Sequence, residues 1–349
     1  MERRRIARMN AGFERNPRSR KQRWDGVYNE MTAAKIDQKT FIEMFETLGP
    51  RETSRRLKVN IRNVYNRRVK VEEKIGRQLM PPSDHPKNNV PLRAGISHPR
   101  WIEERIKNGT VIIGSDAHYW PGIVSTAHRA FVHFIKQLRP KIIVMNGDVM
   151  DGASISRFAS IGWESKPTLI GELEACQERL GEIEAVRGRA SLIWPLGNHD
   201  GRFETRLATV APEYARVHGV HLKDHFPLWI PCWSLKINDD VVVKHRFKGG
   251  LHAAVNNTLW SGMSIFTGHL HQHKVSPISD YNGRRYGVDL GLMAAPYGPQ
   301  FESYTEQNPL NWAEGFVVAT FIDGELLPPE LVTVLRDGVV TFRGEVIKV

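Results

Sequence analysis

Five short apolar runs in this chain each stop at a polar residue that can bind a metal. They are Val111–Ser115, Lys141–Met145, Leu192–Leu196, Val241–Lys244 and Ser264–Thr267. Runs of four or five residues rich in Val and Ile have the length of buried strands and are too short for helices. Residues 123–138 and 168–187 carry apolar side chains at helical spacing between the first three runs. After about residue 220 the chain becomes strand-rich, with hairpin signals at Asn282-Gly283, Asp323-Gly324 and Asp337-Gly338. Alternation first and antiparallel strands later suggest an α/β sandwich.

The residues just past the runs carry the chemistry. Asp116 and His118 lie in GSDAH, Asp148 and Asp151 in NGDVMDG, and Asn198, His199 and Asp200 in LGNHDG. His245 ends the fourth run, and His269 and His271 follow the fifth in GHLH. Strand ends are where open α/β sheets build their sites. One Asp-x-His is weak evidence, but five such groups in order form a specific pattern. Carboxylate, amide and imidazole ligands without a thiolate suit Mn, Fe or Zn in a hydrolytic site.

In this order the motifs resemble the calcineurin-like metallophosphoesterase superfamily, over residues 110–275 and more loosely over the C-terminal β region. The resemblance implies a metallophosphoesterase β-sandwich over 110–349 and two divalent metal ions, manganese first, with iron or zinc as alternatives. It makes Asp116, His118 and His271 ligands of one ion and Asn198, His245 and His269 ligands of the other, with Asp148 bridging. Such a pair, ~3.5–4 Å apart, clamps a phosphoryl group and makes hydroxide available at neutral pH. His199 resembles the family's catalytic histidine and Asp151 its orienting carboxylate. Gly147, Gly197 and Gly268 are expected to allow the sharp turns that aim these side chains. The chain departs from the family's protein phosphatases in three places. Gly152 stands where they place a phosphate-gripping Arg, Asp200 stands in place of Glu, and Arg246 follows His245 in place of Gly. The last leaves His252 as an alternative ligand to His245.

The net charge of +11 is not spread evenly. Residues 1–100 hold 24 Lys+Arg against 11 Asp+Glu, and the remaining 249 hold 25 against 27. Residues 1–38 read as a basic arm without apolar periodicity, expected to be flexible. In 39–79, Phe41, Ile42, Met44, Phe45 and Leu48 repeat at helical spacing, Gly49-Pro50 breaks it, and Asn60 is a plausible N-cap for a further helix. Ile61, Val64, Tyr65 and Val71 are expected on its inner face. Arg62, Asn63, Asn66, Arg67 and Lys70 are expected on its outer face. These 40 or so residues resemble a small all-α helix-turn-helix DNA-binding unit. Arg and Asn can make two-pronged bonds to guanine and adenine edges. Residues 80–109, with five prolines in the first twenty-one, read as a linker.

The other features read plainly. Cys176 and Cys232 make no CxxC pair and suit a reducing compartment. The charged start MERRRIARMN lacks the apolar stretch of a secretory signal, so a soluble cytoplasmic protein without a membrane partner is expected. Trp163, Trp229, Trp233, Trp260 and Trp312 are expected in core or loop packing. Glu172, Glu174, Glu178, Glu182 and Glu184 read as a solvated helix face. His273 reads as an exposed or supporting residue beside the site. The function expected is a phosphodiesterase or nuclease acting on DNA, since nucleases of the superfamily, double-strand-break repair nucleases among them, share these motifs. The alternatives are a small-molecule phosphatase or cyclic-nucleotide phosphodiesterase with a tethering N-terminal module, and a non-catalytic DNA-binding regulator.

Overall fold

The computed structural model describes residues 36–81, 98–158, 163–305, 308 and 310–349. The expected flexible arm lies outside these residues up to position 35, as does the linker over 82–97. The chain divides into two compact units, Met1–Asn89 and Val90–Val349.

In the first unit, α1 spans Gln38–Leu57 and is kinked at Gly49, whose φ of 75° is outside the helical range, with Pro50 behind it. The Asp37 side chain caps the start by accepting from Thr40 N at 2.8 Å. The helix ends at Lys58 in the left-handed region (φ 53°), and α2 follows at Ile61–Ile75 with Asn60 capping it. Phe41, Phe45, Val64, Val71 and Leu79 form the core of this unit. Thr53, from the second half of α1, donates to Met44 O in the first half at 3.1 Å and so fixes the kink.

The second unit begins earlier than the sequence suggests. Ile102–Glu104 (β1) pairs with Leu235–Ile237 and is part of a sheet, so the linker does not extend to residue 109. Bonds between segments far apart in the chain stabilise this short stretch, and no local signal marks it. The chain continues through β2 (Gly109–Gly114), α3 (Thr126–Leu138), β3 (Ile142–Met145), α4 (Leu169–Val186), β4 (Ser191–Pro195) and α5 (Asp200–Val210). Then come β5 (Ile230–Cys232), β6 (Leu235–Ile237), β7 (Val241–Lys244), α6 (Ala253–Ser261), β8 (Ser264–Thr267), β9 (His273–Asp280) and β10 (Gly283–Leu290). Five antiparallel strands close the chain: β11 (Gly315–Ile322), β12 (Glu325–Leu326), β13 (Glu330–Arg336), β14 (Val339–Phe342) and β15 (Glu345–Lys348). The three expected hairpin turns form, and a fourth at Arg343-Gly344 joins β14 to β15.

One sheet runs β15-β14-β13-β11-β2-β3-β4-β5, with β12 on β11, and the other runs β1-β6-β7-β8-β10-β9. Strands β2 to β5 are parallel, as are β7 and β8. Alternation along each strand decides the layers. Val111, Ile113, Val144 and Ile193 share one core with Leu235, Val243, Phe266 and Val288 of the second sheet. Ile112, Ile143, Leu192 and Trp194, on the other face, pack with Phe131 and Phe134 of α3 and Leu180 of α4. The strands are apolar throughout because both faces are covered. Among the described residues, no helix is long and apolar enough to cross a membrane.

Candidate metal centre

Each polar motif follows the C-terminal end of its strand, and the loops after β2, β3, β4, β7 and β8 meet. Among the described residues, Asp116, His118 and His271 bring one ligand atom each within 4.8 Å of one another, and so do Asp148, His245 and His269. The two groups adjoin: His245 Nε2 lies 3.0 Å from Asp148 Oδ2 and 3.9 Å from Asp116 Oδ1. His271 Nε2 lies 3.2 Å from Asp116 Oδ1. The backbone is tightly turned here. Ten described non-glycine residues have positive φ, and five of them are Asp116, His118, Asp148, His269 and His271. Such conformations persist only where the surroundings enforce them, and they concentrate at functional sites.

Gly147 (φ 78°) makes the turn expected of it. Gly197 and Gly268 do not have positive φ; their requirement is space. A Cβ on Gly197 would fall 2.0 Å from Asp148 Oδ1, and one on Gly268 would fall 2.0 Å from Ser115 Oγ.

Two of the histidines are oriented by the bond each makes through Nδ1. His118 Nδ1 bonds Asp151 Oδ1 at 2.9 Å, and His245 Nδ1 donates to Asn146 O at 2.8 Å. His118 Nε2 is left buried without a hydrogen-bond partner in the protein, and so is Oδ1 of Asn198, while His245 Nε2 faces the Asp148 carboxylate. A buried acceptor with no partner costs ~1–3 kcal/mol, so these atoms fit a coordinated cation, and the Nδ1 bonds are those a metal-binding imidazole makes. The two carboxylates attract positive charge strongly. Burial alone would lower the His245 imidazole, yet Asp148 and Asp116 push it up to about 10. His252 is exposed at the start of α6 and takes no place in the cluster. His269 sits at its exposed rim, its N–H donating to the Asp116 carboxylate.

His199 lies beside the ligands, its ring centroid 4.7 Å from that of His118. Its Nδ1 is 3.0 Å from Asp151 Oδ1 and 2.9 Å from Asp151 O. Asp151 therefore orients both His199, as expected, and His118. Burial pushes the Asp151 carboxyl up, but the bonds from His118 and His199 hold it far below the usual range. For His199, burial pulls down while Asp151 and Asp148 push up, and the net shift is upward.

The roles of three groups here escape sequence reasoning. Arg202, on α5, donates to Asp151 O at 2.8 Å and sets Nη2 3.1 Å from His199 Nε2. A Cβ on Gly152 would meet the Arg202 side chain at 3.3 Å. A guanidinium thus stands beside the position after Asp151, brought in from fifty residues away in the chain. Asp200 is a clamp: its carboxylate accepts from the N–H groups of Asp148, Val149, Met150 and Gly197 and from Trp194 Nε1. Glu172 is fully buried, contrary to the expected solvated face, and accepts from the N–H groups of Gly152 and Ala153. Further along that helix, Glu182 pairs with His128 and Glu184 accepts from Trp229. The acids of this helix therefore fall on packed as well as solvated faces, which charge periodicity alone does not reveal. Phe301 and Trp312 wall the first group of ligands, with centroids 5.0 Å from His118 and 4.3 Å from His271 respectively. His273 turns away, bonds Leu290 O and fills space left by Gly291 and Gly315, so it is packed rather than exposed.

On α2, Arg62, Asn66 and Lys70 are exposed and Asn63 is half-buried. Arg67 is turned inward: it donates to Ile36 O at 2.5 Å and lies over the Phe41 ring. Ile61 and Tyr65, expected on the inner face, are exposed, as is Val69.

No protein-family model matches the chain, and no curated protein matches it. Among solved structures, the chain is similar to vacuolar protein sorting 29 from Cryptosporidium parvum, with 10% identity over 70% of this chain and 100% of that one and a TM-score of 0.38. It is similar to a zinc complex of the Entamoeba histolytica protein of the same name (14% identity, 68% and 98% covered, TM-score 0.37). It is also similar to a metallophosphoesterase from Sphaerobacter thermophilus (14% identity, 66% and 90% covered, TM-score 0.37).

Proposed function

We propose that the chain is a dinuclear-metal-dependent phosphoesterase that hydrolyses phosphodiesters in nucleic acid, DNA foremost. The observation that carries this is the pair of ligand groups joined through His245, with the Asp151-held His199 at their edge. Asp116, His118 and His271 would hold one divalent ion. Asn198, His245 and His269 would hold the other, with Asp148 between them. Bound there, the two ions would supply charge to grip a phosphate and hydroxide at neutral pH.

The chain's own residues do the rest. Asp151 fixes the His199 ring through Nδ1, which leaves Nε2 as the atom that hands a proton to the leaving oxygen. Arg202 borders that atom. Arg202 donates to Nε2 at 3.1 Å, so a phosphate oxygen that draws the guanidinium away frees that atom to carry a proton. Arg202 is therefore placed to take the phosphate-gripping part that Gly152 cannot. The exposed basic residues of α2 suit duplex DNA, which favours a polymeric substrate over a small ester.

The test is a panel of bis(p-nitrophenyl) phosphate, p-nitrophenyl phosphate, single-stranded DNA and duplex DNA with Mn²⁺. Cleavage of the diester and of DNA, with the monoester slower, is expected. Hydrolysis of the small diester with neither form of DNA touched would replace the nucleic-acid reading with a small-molecule one.

A further inference from the structure

The catalytic unit is close to neutral, but its charge is uneven. From residue 241 to residue 279 the chain holds no Asp or Glu, while Lys244, Arg246, Lys248 and Lys274 lie within that span. It includes β7, α6 and β8, and it carries His245, His269 and His271.

The loop leaving His245 and the helix that follows it present a surface unlike the rest of the site. Phe247 is 44% exposed, Leu251 63%, Leu259 55% and Trp260 69%. Lys248 Nζ lies over the Trp260 ring, 3.4 Å from its centroid, and Lys244 faces Phe247 at 5.1 Å. Trp260 is thus not the packing residue its sequence context suggests. The surface is also braced. Buried Asn257 accepts from Lys248 N at 3.0 Å, and Lys274 Nζ donates to Leu251 O at 2.6 Å. Gly249 lies against Leu270, between the two ligand histidines of the GHLH loop.

We infer that this cationic, aromatic ledge, built from Arg246, Phe247, Lys248, Leu251, Leu259 and Trp260, seats a single-stranded segment of nucleic acid beside the metal centre. The inference deepens the phosphodiesterase reading and rests on it for the identity of the substrate. Exposed rings alternating with cations match a chain of alternating bases and phosphates, since every base has a face that stacks and every linkage carries a charge. Duplex bases are already stacked on one another and cannot cover these rings, so the ledge selects unpaired strands. The segment that builds the ledge carries no carboxylate, and the buried Asp289 beneath it is paired with Lys274 at 3.4 Å, which limits the repulsion a phosphate backbone would meet.

The test uses the full chain with metal chelated, so that binding is read without cleavage. Fluorescence anisotropy would report affinity for a labelled oligothymidylate of about fifteen nucleotides, long enough to span one such surface, and for a duplex. Trp260→Ala and Phe247→Ala should each weaken oligothymidylate binding by about fivefold or more, the smallest loss expected for one stacked base. Trp260→Phe should retain most of the affinity, and duplex binding should not change. Equal oligothymidylate affinity in every variant would overturn the inference. So would a Trp260→Ala loss of the same size on inorganic polyphosphate, which has charge but no bases, or on anionic lipid vesicles. Cleavage by the Mn²⁺-loaded wild type separates the two proposals. Ledge-dependent binding without DNA cleavage keeps the ledge and removes the nuclease; cleavage with ledge-independent binding does the reverse.

Discussion

Asp151 shows why part of this site is legible in the sequence and part is not. The motif residues announce themselves because each group is local: Asp116 and His118 are two residues apart, and His269 and His271 likewise. Arg202 is 51 residues from its partner Asp151 and sits on an ordinary helix, so no spacing marks it. Substituting it should therefore affect turnover without emptying the metal sites. Arg202→Ala should lower kcat/KM for a diester by ~10–1,000-fold, as losing one charged transition-state contact does, and Arg202→Lys should recover part of the loss. Elemental analysis should give unchanged metal content; metal loss in Arg202→Ala would contradict the role. Glu172 is hidden for a different reason, since five acids on one helix conceal the one that faces inward. Burial, with the charge of Asp151 behind it, pushes its carboxyl up to about 7 against the pull of three backbone N–H groups, those of Gly152, Ala153 and Ser154. A group raised in the fold holds its proton more tightly there than in the unfolded chain. Its contribution is then full below about 4.5 and is lost as pH climbs through about 7. Wild type should lose stability relative to Glu172→Gln across that window. Parallel urea midpoints for the two proteins from pH 4.5 to 8 would contradict this.

At the scale of elements, the short apolar runs translate closely into strands, because both faces of β2, β3 and β4 are covered and nothing competes with an apolar reading. β1 escapes detection, since a three-residue strand is held by its partner β6 rather than by its own propensity. The faces of α2 are read only in part. Val64 and Val71 meet Phe41 and Phe45, and the rotation this sets turns Ile61, Tyr65 and Val69 outward beside Arg62, Asn66 and Lys70. Two kinds of arginine on one helix then behave differently. Arg62→Ala and Lys70→Ala should each weaken duplex DNA binding across all sequences and reduce the slope of log K against log salt by about 1. Arg67→Ala should instead lower the thermal stability of the helical unit, because Arg67 supports the chain at Ile36 and lies on Phe41. A reduced salt slope in Arg67→Ala with unchanged melting would reverse that assignment.

For the whole molecule, the net charge of +11 conceals three regions of different character. On the proposed reading, a basic N-terminal third, a near-neutral unit that holds the ligand cluster and an acid-free stretch inside that unit would divide the work of holding a polyanion. Both cysteines are buried among apolar residues, and burial pushes the Cys232 thiol up to about 12 and the Cys176 thiol well above its usual value. Burial and raised thiols suit neither to act as a nucleophile, and the proposed chemistry rests on the ligand cluster. The most direct measurement is the metal content and diester turnover of the wild type, Asp148→Asn and His199→Ala, each purified metal-free and titrated with Mn²⁺. Two ions per chain are expected in the wild type, with turnover appearing as the second binds. Asp148→Asn should lose the metal pair together with turnover, while His199→Ala should keep both ions and lose mainly turnover. One ion per chain in the wild type, or equal metal loss in the two variants, would contradict the account.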